Sequence, residues 1–347
     1  MFELWFALVA ITLTLYVVLD GYDLGAGALH FLVARTPEER RVVLGAVGPL
    51  WDANEVWLLA AGGSLFVAFP RVLASGLSGF YLAIFLVIWC LILRAISIEF
   101  RGHLSEPLWR SFWDAGFAFS STLLPVLLGA ALGNVIRGVP LDADGWFHLT
   151  LFTSFQPRDP VGILDWYTVL TGVYALIALA GHGAAFLAWR TEGPVHDRSR
   201  TLALRLLIAV AVLWIPVTLA TVRVNPDLLA AFPHRPLAWL AIGVAAVGLL
   251  GSIVMTARRR DLPAFLGSSA WIAGMLGATA ACQYPILLRS TGDIARSITA
   301  QAGGATSQSL TVAISWWWAG FLLALVYLVV LFRVFRRRIS AAGAAGY

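Results

Sequence analysis

Two short runs place ionisable side chains among apolar neighbours: Asp20-Gly-Tyr-Asp23, and Trp51-Asp52-Ala-Asn54-Glu55-Val-Trp57. Residues at i and i+3 share a helix face, so Asp20 stands with Asp23 and Asp52 with Glu55. A carboxylate at mid-bilayer costs on the order of 2.5–3.5 kcal/mol on insertion scales, so these acids need partners, water or protons. Acids that exchange protons with water in an apolar setting can pass them on, and proton relay is the chemistry this spacing supports. Arg94, Glu99, Arg101 and Asp114 form a further charged set suited to structural ion pairs, with Arg94 expected to meet Asp114 or Glu99. His182 sits in Ala180-Gly-His-Gly-Ala-Ala. The small neighbours leave room for a ring, so it reads as a hydrogen-bonded packing histidine, a proton-transfer group or a haem ligand.

Other chemistries find no motif. Cys90 and Cys282 both lie in apolar runs, which removes a CxxC metal site and a disulfide framework. No HxxxH or CxxCH pair occurs, so no metal or haem of the chain's own is expected. Gly-rich nucleotide loops and serine-nucleophile motifs are also missing, which argues against ATP-driven work.

These residues must be positioned by membrane helices. The chain has 347 residues, 60% of them hydrophobic and 12% charged, and its mean hydropathy is +0.82. Soluble domains do not have that composition, so the chain is read as an integral membrane protein. Its net charge of +5 comes from arginines in short runs between apolar segments, which act as topology determinants and not as a nucleic-acid surface. The N-terminus carries an acid and no basic residue before its apolar run, so it is expected to stay as the first span.

A span needs roughly 20 apolar residues, and nine segments qualify: 4–32, 45–69, 77–98, 112–133, 164–189, 202–222, 237–257, 263–288 and 310–332. Counting arginines in alternate connections puts 17 on one side and 7 on the other. The positive-inside rule then places the N-terminus outside and the C-terminus in the cytoplasm. Asp20 and Asp23 fall near the inner end of span 1. Asp52 and Glu55 fall two to three turns into span 2, desolvated beside them. Trp316, Trp317 and Trp318 open the last span where an aromatic belt is expected.

Short connections favour antiparallel neighbours. The expected architecture is all-α: two four-helix bundles plus one peripheral helix in a single membrane domain, 1–347. The first bundle covers 1–133 with the polar cluster, an outer loop with room for a short surface helix covers 134–163, and the second bundle covers 164–288. The ninth helix and its basic cytoplasmic end cover 308–338. Gly21 and Gly25, and Gly62 and Gly63, are expected to let helices approach closely.

The order Asp20-Gly-Tyr-Asp23-Leu-Gly25, Glu39-Arg40-Arg41, Gly48-Pro-Leu-Trp51-Asp52-Ala-Asn54-Glu55-Val-Trp57, Ala68-Phe69-Pro70, Leu93-Arg94, Glu99-Phe-Arg101 and Trp113-Asp114 resembles subunit II of cytochrome bd quinol oxidases. A weaker likeness continues through His182-Gly183-Ala184 and Ser309-Leu310. Ala53 stands where that family usually has Gly.

The resemblance implies a subunit of a quinol oxidase that reduces dioxygen to water in a bacterial cytoplasmic (inner) membrane, paired with a homologous subunit I. Haems b and d and the membrane quinol site would belong to subunit I, leaving this chain haem-free. Asp52 matches an acid of the cytoplasmic proton route, Asp23 and Asp20 fall in a motif near it, and Trp57 matches a Trp lining an oxygen path. Glu55 receives no role from the likeness. A structural quinone against this subunit and small accessory subunits stay open. A proton-coupled secondary transporter using the same acids is the rival reading, and a purely structural partner is a third.

Overall fold

In a bilayer only a helix satisfies the backbone within one segment, so each long apolar run becomes one. The computed structural model describes residues 1–340 apart from Asp159 and Arg336; Arg336, one of the counted arginines, lies outside the described residues. Helix α1 (Phe2–Ala28) ends at Leu29 and is followed by a single turn, α2 (His30–Val33). Thr36 and Glu39 then form a capping box with Pro37 in the first turn and start α3 (Pro37–Val47).

Span 2 departs from expectation. Pro49 has no N–H to give the preceding turn, and residues 48–50 break the helix, so α4 (Trp51–Ala68) begins six residues later than the apolar pattern suggests. Pro70 then opens α5 (Pro70–Gly79), which is bent 119° away from α4. The first half closes with α6 (Tyr81–Phe100) and α7 (Pro107–Arg137). The second half contains α8 (Trp166–Arg190), α9 (Gly193–Val224), α10 (Pro226–Ala231), α11 (Pro236–Ala257) and α12 (Asp261–Gln283). An antiparallel pair, β1 (Ile286–Leu288) and β2 (Ile298–Thr299), precedes α13 (Ala300–Gly303) and α14 (Ser307–Val334). Among the described residues, eight helices are long and apolar enough to cross a membrane, and the α4/α5 pair brings the number to nine.

The first four residues of the expected outer loop are the last turn of α7, and its described residues beyond Arg137 form no helix. It is held instead by Arg137, which is fully buried and not a loop charge. Its guanidinium donates to Asp165, to Asn134 Oδ1 (2.6 Å) and to the carbonyl of Gly162 (3.0 Å). Asp165 also caps α8 by accepting from the N–H groups of Tyr167 and Thr168.

Helix α1 runs through the middle, packed against α4, α7, α8 and α12. At Gly25 and Gly183 α1 and α8 touch backbone to backbone, and a methyl group at Gly183 would lie 2.6 Å from the Gly25 Cα. Gly21 packs against Leu179 of α8. Gly62 and Gly63 face open space, so the expected close packing on α4 is not found; they lie on its outward side. Helix α14 is peripheral and mostly exposed. Trp317 turns inward from the expected belt, donating to Ser64 Oγ at 2.8 Å, while Trp316 and Trp318 stay exposed.

At the arginine-rich end, α3 braces the two halves. Arg198 of α9 donates to both carboxylate oxygens of Glu39 (2.8 Å each) and to the carbonyl of Val33 (2.6 Å). Chiefly because of Arg198, the Glu39 carboxyl is held at about 2 against an ordinary 4.5. The brace therefore stabilises fully above pH 4.5 and is lost as pH falls towards 2. Thermal denaturation of the solubilised protein across that acid window should show Arg198→Ala losing much of the wild type's pH-dependent fall in melting temperature; an unchanged slope counts against the brace.

Candidate functional site

The first polar cluster forms because three helices carry charges at one level. Arg94 of α6 is fully buried and donates to Asp20 Oδ1 of α1 at 2.5 Å and to Glu55 Oε2 of α4 at 2.7 Å. The sequence suggested Asp114 or Glu99 as its partner, and neither is. Asp114 lies one level lower and is taken by Arg101 (2.6 Å), His30 (3.0 Å) and Arg40 (3.3 Å). Arg94 and Arg101 are seven residues apart on α6 and share a face, so each serves its own level. Glu99 is exposed and forms no ion pair among the described residues.

Beside this triad, the Asn54 amide donates to Asp23 Oδ2 at 2.7 Å and to Tyr22 Oη at 2.6 Å. Tyr22 stacks on Phe186 of α8 with 3.9 Å between ring centres. Tyr16 lies beside Asp20 and interacts with its carboxylate, while three buried atoms here have no hydrogen-bond partner among the described residues: Asp23 Oδ1, Asn54 Oδ1 and Arg94 Nε. Each such atom costs about 1–3 kcal/mol unless water or a proton serves it. The sequence reading assigned nothing to Tyr16 and Tyr22, although Tyr16 precedes Asp20 by one turn and Tyr22 adjoins Asp23.

Helix α4 divides its polar residues between two faces. Asn54 and Trp57 point into the chain and are buried. Trp57 meets Phe321 of α14 edge-on at 5.5 Å. Asp52 and Glu55 face the other way, towards a groove of about 360 Å³ lined also by Trp51, Ile88, Leu91 and Ile92. Asp52 is exposed in this chain and has no hydrogen bond or ion pair among the described residues. Asp52 was expected two to three turns into its span and instead stands in the first turn of α4, because the helix starts only at Trp51. Asp52 stands at the outer edge of the cluster, with Glu55 between it and Arg94.

His182 is buried with both ring nitrogens engaged, Nδ1 with Ser268 Oγ at 2.7 Å and Nε2 with the carbonyl of Val18 at 2.9 Å. Its ring stacks on Phe265 at 5.0 Å. That is the environment of a packing histidine tying α8 to α1 and α12. Among the described residues no group of three or more His, Cys, Asp or Glu side chains is arranged to hold a metal ion.

The sequence model of the family described as cytochrome bd terminal oxidase subunit II matches residues 1–335. Subunit 2 of the Escherichia coli K12 cytochrome bd-I ubiquinol oxidase is 31% identical over 353 aligned positions, which cover 94% of this chain and 91% of that one. Subunit 2 of the Bacillus subtilis cytochrome bd ubiquinol oxidase is 36% identical over 213 positions, or 61% and 60% of the two chains. Among solved structures, the bd oxidase of Geobacillus thermodenitrificans superposes with a TM-score of 0.73 at 18% identity, covering 96% of this chain and 98% of its own. The fold is thus shared well beyond the sequence likeness. A family match along nearly the whole length, with a relative of 31% identity at similar coverage, shows that the chain belongs to the cytochrome bd terminal oxidase subunit II family.

Proposed function

We propose that this chain is the haem-free membrane subunit of a quinol:oxygen oxidoreductase, and that it carries protons from the cytoplasm towards the site of dioxygen reduction. As a terminal oxidase subunit it works beside a subunit I, to which we assign the haems and quinol oxidation. The observation that carries the proton role is the file formed by Asp52 at the groove, Glu55, Arg94, Asp20 and the Asp23/Asn54/Tyr22 group. Three buried or half-buried acids share one buried arginine, so full ionisation would leave uncompensated charge in a low-dielectric interior. Such a cluster exchanges protons at less cost than it parts with its arginine.

In this reading Asp52 takes a proton from water at the groove and passes it to Glu55. Arg94 keeps its own proton and holds both carboxylates in place, so that charge added at one is felt at the other. Tyr16 beside Asp20 and the unpartnered oxygens of Asp23 and Asn54 give water or protons a way onward. The arginine distribution supports a mouth of this file on the cytoplasmic side of a bacterial inner membrane. Trp57, wedged between α4 and α14, would line an apolar path for dioxygen. The transporter reading needs discontinuous helices that meet at mid-membrane. Pro125 and Pro216 lie inside unbroken helices and Pro285 outside any helix; the broken pair α4/α5 has its break at Phe69, about four turns from Glu55 and not at the acids, which does not favour it.

Asp52→Asn should slow quinol-driven oxygen consumption about tenfold while the partner's haem bands persist; a sole acid or base would cost more, but Glu55 lies one turn on. Wild-type turnover in the assembled variant would count against the relay. Arg94→Gln strands buried carboxylates and should destabilise the complex by about 3–5 kcal/mol, seen as a lower melting temperature. Lysine should rescue it poorly, since a point charge cannot fork to two carboxylates. Trp57→Ala removes a buried ring, with a stability cost of about 3–5 kcal/mol. It should alter oxygen rebinding after flash photolysis more than the KM for quinol, and unchanged rebinding would remove the oxygen role.

A further inference from the structure

A second set of polar atoms lies further along the same face of α1, on its seam with α7. His30 is fully buried just beyond the end of α1, and its Nε2 lies 3.0 Å from Asp114 Oδ1. Asp114 also accepts from Arg101 Nε at 2.6 Å and Arg40 Nη1 at 3.3 Å, so it is an ionised acceptor and fixes the ring proton on Nε2. That leaves Nδ1 as a basic lone pair, and Nδ1 is buried without a partner among the described residues.

One turn further along the seam is Ser121 of α7. Its neighbours Ser120 and Thr122 satisfy their hydroxyls on carbonyls four residues back, at 2.7 Å each, as helical Ser and Thr ordinarily do. Ser121 does not: its Oγ is buried and unpartnered. It lies against Gly27, where any side chain would collide with it, so the glycine makes the space the hydroxyl occupies. One further turn along α1 is Asp23, whose Oδ1 is the third orphan.

The spacing is regular on both helices. Asp23 and Gly27 follow at i and i+4 on α1, and Asp114 and Ser121 at i and i+7 on α7, which keeps each pair on one face; His30, in the turn after α1, is held at the same seam by Asp114. At about 1.5 Å per residue the distance from His30 to Asp23 is about 10 Å, with Ser121 between them. Gaps of that size are bridged by one or two waters, each of which needs two to four polar partners.

We propose that the α1/α7 seam is a second proton route, in which His30 Nδ1 takes up a proton near the arginine-rich end and passes it through Ser121 and bridging water to Asp23. The inference rests on the relay role proposed above for the acids. The steps are proton transfers only. The imidazolium formed at His30 is held by the Asp114 carboxylate. Its Nδ1–H bond breaks as a water O–H forms, Ser121 accepts one proton as it releases another, and Asp23 Oδ1 receives the last. The charged groups facing His30 are Asp114 from α7, Arg101 at the end of α6 and Arg40 from α3; Arg40, 22% exposed, opens the cluster to water.

The test measures turnover of the purified two-subunit oxidase carrying His30→Gln or Ser121→Ala, each alone and combined with Asp52→Asn, with haem bands confirming assembly. Glutamine keeps an N–H for Asp114 but has no atom that holds a second proton. With two parallel routes, either variant alone costs less than about twofold, whereas in the Asp52→Asn background it removes the residual flow, a further loss of about tenfold. A purely structural role gives the same factor in both backgrounds, and that result, or no effect in either, overturns the seam. If Asp52→Asn alone keeps wild-type turnover, the groove relay fails separately. The seam must then carry the flow, so His30→Gln alone should cost about tenfold, and unchanged turnover would overturn it. Should His30→Gln fail to assemble, Ser121→Ala decides by the same criteria.

Discussion

A guanidinium buried between carboxylates from two other helices is the constraint on which the first half of this protein turns. Removing Arg94, Asp20 and Glu55 from water costs several kcal/mol per ion, and mutual attraction offsets that only when the geometry is good. Both contacts are short, at 2.5 and 2.7 Å, so α1, α4 and α6 have little freedom to slide or rotate about one another. The rotation of α4 follows from this. With Glu55 turned to Arg94, Asn54 and Trp57 must face the interior and Asp52 must face the groove. The close approach of α1 to α8 at Gly25 and Gly183 then carries the same register into the second half.

The spans were legible because apolar length is a one-dimensional signal, and a run of about 20 residues has few alternatives in a bilayer. The shared level of Asp20 and Glu55 could also be read, since rise per residue is constant, whereas Asp114 fell one level below Arg94 and Asp52 nearer its helix start than expected. What could not be read was azimuth. Arg94 was expected to meet acids near it in sequence, yet it reaches across to α1 and α4, because which face of α6 meets which neighbour depends on packing among helices far apart in the chain. The same gap explains the glycines: Gly25 lies at a helix crossing and Gly62 does not, though their neighbourhoods look alike. The late start of α4 had a signal in Pro49, which the apolar pattern of residues 45–69 overrode.

Exposure of Asp52 has a consequence for assembly. A carboxylate left against lipid would carry a penalty of about 2.5–3.5 kcal/mol, and the groove beside it is walled by Ile88, Leu91 and Ile92, which give it no hydrogen bond. The chain by itself therefore does not finish this site. On the reading proposed here, the partner subunit and water complete it, so that one face of α4 serves the interior of this chain and the other faces the remainder of the oxidase.

Two buried arginine–carboxylate sites in the same chain separate structural ion pairing from chemistry. At Arg137 every nitrogen is used: Nε on the Gly138 carbonyl, Nη1 on the Gly162 carbonyl and Asp165, and Nη2 on Asn134. Asp165 in turn spends its other oxygen on two backbone N–H groups. No atom of that pair is left to bind a proton or a water, and it holds a loop. At Arg94 the guanidinium is shared, and its Nε and the buried Asp23 Oδ1 and Asn54 Oδ1 lack partners among the described residues. Interiors are satisfied by default, so on the relay reading proposed here the open positions around Arg94 are where water or a proton would be held.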